Sequence, residues 1–212
     1  MQSWILVLLN KFSAYQQFCV PKHRQVRSQK TIKSFLGKPK PDSNINTNKS
    51  TMPNNGLHIK LRPTEISDLD TLFEFQLDKE GGYLAAFMPK DPTDKSAYME
   101  KHMKQLEDPT VNNQTIAVDN IIVGSIGKFI MNGEAEITYW IDRNFWGQGI
   151  ATKALKEFLS VETVRPIFGR VAFDNFASQK VLEICGFVKI GPDKGFANAR
   201  QAETEEFIYK LT

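Results

Sequence analysis

The stretch EITYWIDRNFWGQGIAT, Glu136 to Thr152, passes from a strand pattern to a helix pattern across a loop holding two glycines. Glu136 to Ile141 alternates polar with apolar and is rich in β-branched and aromatic residues, which predicts a strand. After it, Ala151, Ala154, Leu155, Phe158 and Leu159 recur at helical spacing, which predicts a helix packed back on a sheet. A helix that begins at Ile150 aims unpaired backbone N–H groups and the positive end of its dipole at one spot. Gly147 and Gly149 let an anion approach that backbone closely, so the loop reads as a pyrophosphate cradle. A plain strand-to-helix turn asks for the same glycines, and the pattern alone leaves both readings open. No GxxxxGK[ST] occurs, and Thr152 stands where GxGxxG needs its third glycine, so neither common nucleotide loop is present.

Working outward, Leu57 to Leu61 alternates and Arg62-Pro63 ends it, which predicts an opening strand. Thr64 to Asp78 carries Ile66, Leu69, Leu72, Phe73 and Leu77 at helical spacing, with Thr64 or Ser67 as a candidate cap. Gly81-Gly82 is expected to break the pattern before a second helix over Asp94–Leu106, marked by Tyr98, His102 and Leu106. Gln114–Val118, Ile121–Ile130 and Glu134–Ile141 read as three antiparallel strands joined at Asp119-Asn120 and Asn132-Gly133, both favourable hairpin turns. Helix, strand, helix and strand follow over residues 149–191, and a last strand lies near Thr204–Leu211. The fold class expected is α/β, a mixed sheet without internal repeats.

The 212 residues suit one domain with an appendage, and 41% apolar with 24% charged residues is an ordinary globular composition. Residues 1–50 carry a formal charge of +8 and the remainder −5. The expected organisation is a basic, disordered extension over 1–56, with Met52 a candidate natural start, followed by the folded domain over 57–212. The extension also fits a transit peptide or a basic tether for RNA or anionic lipid. The acidic balance of the rest argues against DNA binding. Trp4–Leu9 is too short to cross a membrane. Cys19 and Cys185 are too few for a disulfide framework and fit a reducing, cytoplasmic setting. With no CxxC, no HExxH and His23, His58 and His102 scattered, no metal site is expected.

Two stretches together carry a resemblance. Trp146-Gly147-Gln148-Gly149-Ile150-Ala151 is similar to the cofactor motif of the GCN5-related N-acetyltransferase (GNAT) family, and NFASQKVLEICGF, Asn175 to Phe187, resembles that family's next motif, in the family's order and spacing. Trp146 and the Tyr139-Trp140 strand end resemble the branch that acetylates ribosomal-protein N-termini, the RimJ/RimL-like branch. The resemblance implies about seven strands, mostly antiparallel, splayed between strands 4 and 5, with about four helices. It implies acetyl-CoA as co-substrate and an amine acceptor, a protein N-terminus or a small molecule, acetylated by direct attack in a ternary complex. Gln148, Gly149, Ile150, Ala151 and Thr152 would then offer N–H groups to the pyrophosphate, with Gly147 shaping the turn. Asn175 and Ser178 would lie along the pantetheine arm, and backbone groups of Tyr139, Trp140 and Ile141 would meet the cofactor amide and thioester. An acyl-CoA-binding module with little turnover is the alternative. A monomer or homodimer is expected, with no membrane partner.

Acyl transfer needs a neutral amine, hence a base. Glu136 is the candidate, sharing a strand face with Glu134, Thr138 and Trp140, opposite Ile137, Tyr139 and Ile141. A solvated edge carboxylate is the competing reading, and Glu134 the second candidate. Many members of the family carry a tyrosine in the second motif to protonate the departing thiolate; Leu182 stands there, which leaves the acid step without that residue. Ser178 shares the helical face of Val181, Leu182 and Cys185 and is the candidate to orient the thiol or relay a proton, or else is structural. Cys185 on the apolar stripe reads as core. Asp142 and Arg143 are expected to pair on the surface or to meet the cofactor phosphates. Phe145 and Trp146 are expected to wall the cofactor channel, and residues 78–92 to form a loop on the acceptor side.

Overall fold

The computed structural model describes residues 58–212. The basic extension over 1–56, the candidate start at Met52, and Cys19 lie outside the described residues. A seven-stranded sheet in the order β1-β2-β3-β4-β5-β7-β6 is flanked by five α-helices. β1 is Ile59–Pro63, β2 Asn112–Val118, β3 Ile121–Met131 and β4 Glu134–Ile141. β5 is Ile167–Ala172, β6 Val188–Ala197 and β7 Ala202–Leu211. The helices are α1 (Leu69–Gln76), α2 (Lys79–Ala85), α3 (Lys95–Glu107), α4 (Ile150–Val161) and α5 (Phe176–Ile184).

Hairpin chemistry sets the first half. Asp119, Asn120, Asn132 and Gly133 all take positive φ, as the β2–β3 and β3–β4 turns require, and β1 to β4 pair antiparallel in sequence order. The apolar stripes of α4 and α5 bury Ala154, Leu155, Phe158 and Leu182 against Ile116, Ile126, Ile137, Ile167 and Tyr209 on one face of the sheet. The other face lies under α1 to α3.

Neither Thr64 nor Ser67 caps the first helical segment. A short 3-10 turn, Ile66–Asp68, precedes α1, and the Asp68 carboxylate accepts the Glu65 N–H at 2.9 Å. Asp68 also holds Arg62 through two bonds of 2.6 Å and accepts the Thr115 hydroxyl at 2.8 Å, tying β1 and β2 to the start of α1. Burial pushes this carboxyl upward, but the three partners outweigh it and hold Asp68 below its ordinary 3.8. A depressed carboxylate stabilises the fold above its unfolded value and loses that contribution as pH falls through the folded value. Asp68→Asn is therefore expected to cost about 2 kcal/mol at neutral pH. Urea denaturation at a series of pH values from about 4 downward should show a shallower acid decline in the variant.

The expected break at Gly81-Gly82 is overturned, because both glycines lie inside α2 and are buried. Asp78 caps this helix by accepting the Glu80 and Gly81 N–H groups at 2.8 and 3.1 Å. The reason for a glycine is space: a Cβ on Gly81 would stand 2.9 Å from the Trp140 indole. Residues 79–85 of the expected loop are thus a helix laid against β4, and 86–92 remain irregular.

The decisive feature is between β4 and β5. They run parallel but pair only at Ala135–Ile167 and Glu136–Phe168. Beyond those two pairs β4 stays on β3 as far as Ile141, β5 stays on β7 as far as Ala172, and the sheet opens.

Candidate active site

At the mouth of that opening, α4 begins at Ile150 on Gly149, whose φ of 74° and ψ of 8° are left-handed, and Gly147 has φ of 73°. Among the described residues no atom lies within 4 Å of a Cβ built on either glycine, so backbone conformation and not crowding requires them. No side chain caps this helix. The N–H groups of its first turn, Ile150, Ala151 and Thr152, face outward with the helix dipole behind them. The Gln148 side chain turns back to donate to the Asn144 carbonyl at 3.3 Å, leaving its backbone as the part presented by the loop. Trp146 is partly exposed and donates its Nε1 hydrogen to the Ile141 carbonyl at 2.8 Å, fastening the loop to the end of β4. Phe145 packs against the core.

Strand alternation fixes what the opening offers. The Asp142 N–H bonds Val123 on the β3 side, so Tyr139 and Ile141 turn their N–H and C=O groups toward β5. With the Ile141 carbonyl taken by Trp146, the Tyr139 groups and the Ile141 N–H remain at the gap. An amide-bearing chain laid along this edge would pair with it as an added strand does, satisfying groups that are costly to leave unpaired.

The gap widens into a cleft of about 210 Å³ that runs through the sheet. Tyr139, Val171, Ser178 and Leu182 line it from the α4–α5 face, and Thr138, Trp140, Arg170, Ala172 and Glu206 from the other. Leu84, Ala85, Phe87 and Met88, from α2 and the residues after it, close its far wall.

Asn175 caps α5, its Oδ1 accepting the Ser178 N–H at 3.1 Å, while its Nδ2 donates to the Leu84 carbonyl at 3.2 Å. Both ends of this amide are engaged, so it joins the α2 wall to the start of α5. The Ser178 carbonyl accepts the Tyr139 hydroxyl at 3.2 Å, and Ser178 is among the residues that line the cleft. Burial holds the Tyr139 phenol well above its ordinary 10.0, so it stays protonated as a donor. Leu182 is buried over Gly169 and Ile137 as part of the core. Cys185 packs against the same core and directs its thiol to the Thr152 carbonyl at 3.7 Å; burial pushes that thiol up, consistent with packing rather than reactivity.

Glu136 is not an edge carboxylate in solvent. It is 0% exposed, and its Oε1 accepts Arg170 Nε at 3.1 Å. The same guanidinium lies 3.2 Å from Asp193 and 3.5 Å from Glu206, so one arginine on β5 gathers carboxylates from β4, β6 and β7. Burial alone would lower the Arg170 pKa, but these carboxylates outweigh it and raise it, keeping the group charged. Glu134 is exposed at the start of β4, two residues before Glu136 on the same strand face. Arg143 does not pair with Asp142. It binds Asp78 at 2.7 Å and Glu80 at 2.6 Å, linking the cradle loop to α2. Sequence reasoning passed over Arg170 and Glu206. Their signal was present, a charged residue amid the apolar run IFGRVA and another at a position alternating with Phe207 and Tyr209, but neither pattern names a partner.

A sheet parted between two parallel strands, with a glycine loop and a helix start without a side-chain cap at its mouth and a cleft lined from both faces, is the architecture of an acyl-transfer fold. The chain belongs to the GNAT acetyltransferase family: residues 58–188 match the model of its acetyltransferase domain. It is 25% identical over 167 residues to an uncharacterised N-acetyltransferase, p20, from Bacillus licheniformis, covering 72% of this chain and 92% of that protein. Among solved structures, a RimL ribosomal L7/L12 α-N-protein acetyltransferase with coenzyme A superposes with a TM-score of 0.62 at 20% identity, over 74% of this chain and 95% of that one. The microcin C7 self-immunity acetyltransferase MccE, bound to acetyl-CoA and AMP, gives 0.61 at 20% identity, over 73% and 92%. Among the described residues no cluster of His, Cys, Asp or Glu is arranged to hold a metal, and no helix is long and apolar enough to cross a membrane.

Proposed function

We propose that this protein transfers the acetyl group of acetyl-CoA to a primary amine, on a protein N-terminus or a small molecule, by direct attack within a ternary complex. The observation that carries the proposal is the two-pair contact between β4 and β5, which opens one cleft to both faces of the sheet. The pyrophosphate would sit on the N–H groups of Gln148 to Thr152, with Gly147 and Gly149 shaping the loop. The pantetheine arm would run along the edge at Tyr139, Trp140 and Ile141 toward Asn175 and Ser178. The thioester carbonyl would take a backbone N–H of this edge as its oxyanion donor. The amine would enter from the α2 side beside Trp140. Its proton would pass to the buried carboxylate cluster that contains Glu136, and the Ser178 hydroxyl would orient the departing sulfur. A cytoplasmic setting belongs to this reading, supported by the sparse cysteines.

One observation favours a binding module without turnover, namely Leu182 buried where many family members carry tyrosine. Coenzyme A is a good enough leaving group that no strong acid is required: a thiol of ordinary pKa near 8.5 departs largely as thiolate. A free-thiol assay with acetyl-CoA and a panel of N-terminal peptides, polyamines, aminoglycosides and amino acids separates the two. Amine-dependent thiol release is expected. Tight acetyl-CoA binding with no release above the hydrolytic background for any amine would sink the transferase reading.

A further inference from the structure

Among the described residues that line the cleft, Glu206 is the sole carboxylate, and Glu136 is not one of them. We infer that Glu206 on β7 is the catalytic residue that takes the proton of the incoming ammonium, with Arg170 and Glu136 as positioning residues behind it. The inference rests on the transferase reading above and names the group within the carboxylate cluster that meets the amine.

Three observations converge on that residue. Glu206 stands opposite Ala172, at the end of β5 that has already parted from β4, and so beside the widened part of the gap. Ala172 and Glu206 lie on the α2 face, the side from which Trp140, Phe87 and Met88 close the cleft and by which the proposed function brings in the amine. Glu136 sits where β4 and β5 are still paired, opposite Phe168, and faces the Arg170 guanidinium. A planar guanidinium held between several carboxylates fixes their orientation, and Arg170 does this from the middle of the sheet. The charged and titratable groups that face Glu206 are therefore Arg170 on β5, Asp193 on β6 and Glu136 on β4, with Tyr98 and His102 of α3 on the opposite cleft wall. The span matched to the family domain ends at Val188, so Glu206 lies beyond it.

The ammonium gives one proton to the Glu206 carboxylate, directly or through a water. The freed nitrogen lone pair forms the C–N bond to the thioester carbon, the C–S bond breaks, and the sulfur leaves with the electron pair. The second nitrogen proton goes to that sulfur, giving the amide and free coenzyme A, and Glu206 releases its proton to solvent.

The test uses the full chain with phenylethylamine and an N-terminal hexapeptide as acceptors, and compares Glu206→Gln with Glu136→Gln across the pH range. Glu206→Gln is expected to bind acetyl-CoA within about twofold of wild type while kcat/KM falls roughly 100-fold at pH 7. Its deficit should shrink by about tenfold per pH unit on the alkaline side, because the acceptor then arrives already neutral. Glu136→Gln should lose activity by a factor that does not change with pH. If Glu206→Gln folds poorly, Glu206→Asp replaces it and should keep the wild-type pH profile at reduced kcat. A wild-type pH profile in Glu206→Gln, a new pH dependence in Glu206→Asp, or the steep profile appearing in Glu136→Gln instead overturns the assignment. Absence of wild-type turnover with both acceptors would overturn the transferase reading itself, a distinguishable outcome.

Discussion

Replacing Arg170 by methionine is expected to cost about 3–5 kcal/mol of folding stability, the largest single loss among the substitutions considered. Arg170 is nearly enclosed, and the side chains of its partners Glu136 and Glu206 are each 1% exposed. Methionine fills much of the volume but removes the charge, so carboxylates from β4 and β7 keep their desolvation cost without the guanidinium that offset it. The same reasoning predicts strong non-additivity. Glu136→Gln in the Arg170→Met background removes one of the stranded charges, and the double variant should lose clearly less than the sum of the singles. Chemical denaturation of the four proteins gives the coupling directly. A single-variant loss under about 1 kcal/mol, or additive losses, would show that the arginine is a bystander.

Gly149→Val is the second. At φ 74° a β-branched side chain is strained by about 1–2 kcal/mol or more, yet no atom lies within 4 Å of the new Cβ. The fold should therefore survive with a modest fall in Tm. The loop, however, must either keep its shape with methyl groups standing at the mouth of the cradle, or relax and withdraw the N–H groups that precede α4. With the pyrophosphate placed as proposed, charge-assisted bonds to it would be lost either way, and acetyl-CoA should bind roughly 100-fold more weakly, about 2.7 kcal/mol. Calorimetric titration measures this, and near-wild-type affinity in a folded variant would mean that the phosphates sit elsewhere.

The two variants probe parts of the molecule that differ in how far they could be read from the chain. The shape of the loop before α4 was legible because Gly147, Gly149 and the stripe on α4 lie within a few residues of each other, and positive φ and helical periodicity are local physics. The hairpins at Asn120 and Asn132-Gly133 were legible for the same reason. Gly81-Gly82 misled because glycine is both a turn former and the residue of close approach, and the indole that demands the space is Trp140, far along the chain. Arg143 next to Asp142 misled likewise: adjacent charges suggest a pair, but Asp78 and Glu80 on α2 reach the arginine instead. Glu136 was picked from its strand face, which alternation does determine; whether that face is wet or dry depends on what α1 to α3 and β5 lay over it.

By itself the sequence determined the strands and all the helices but α2, the positive-φ turns, the glycine loop that leads into α4 and, by the pairing of its two motifs, the family. Those are properties of segments a dozen or so residues long, where backbone sterics and apolar periodicity act. Only the tertiary structure decided that the splay implied between β4 and β5 begins after two residue pairs, that one arginine gathers carboxylates from three other strands, and that Glu206 rather than Glu136 lines the cleft. These depend on contacts between residues tens of positions apart, set by how the sheet twists and what its two faces bury, and no local pattern encodes them.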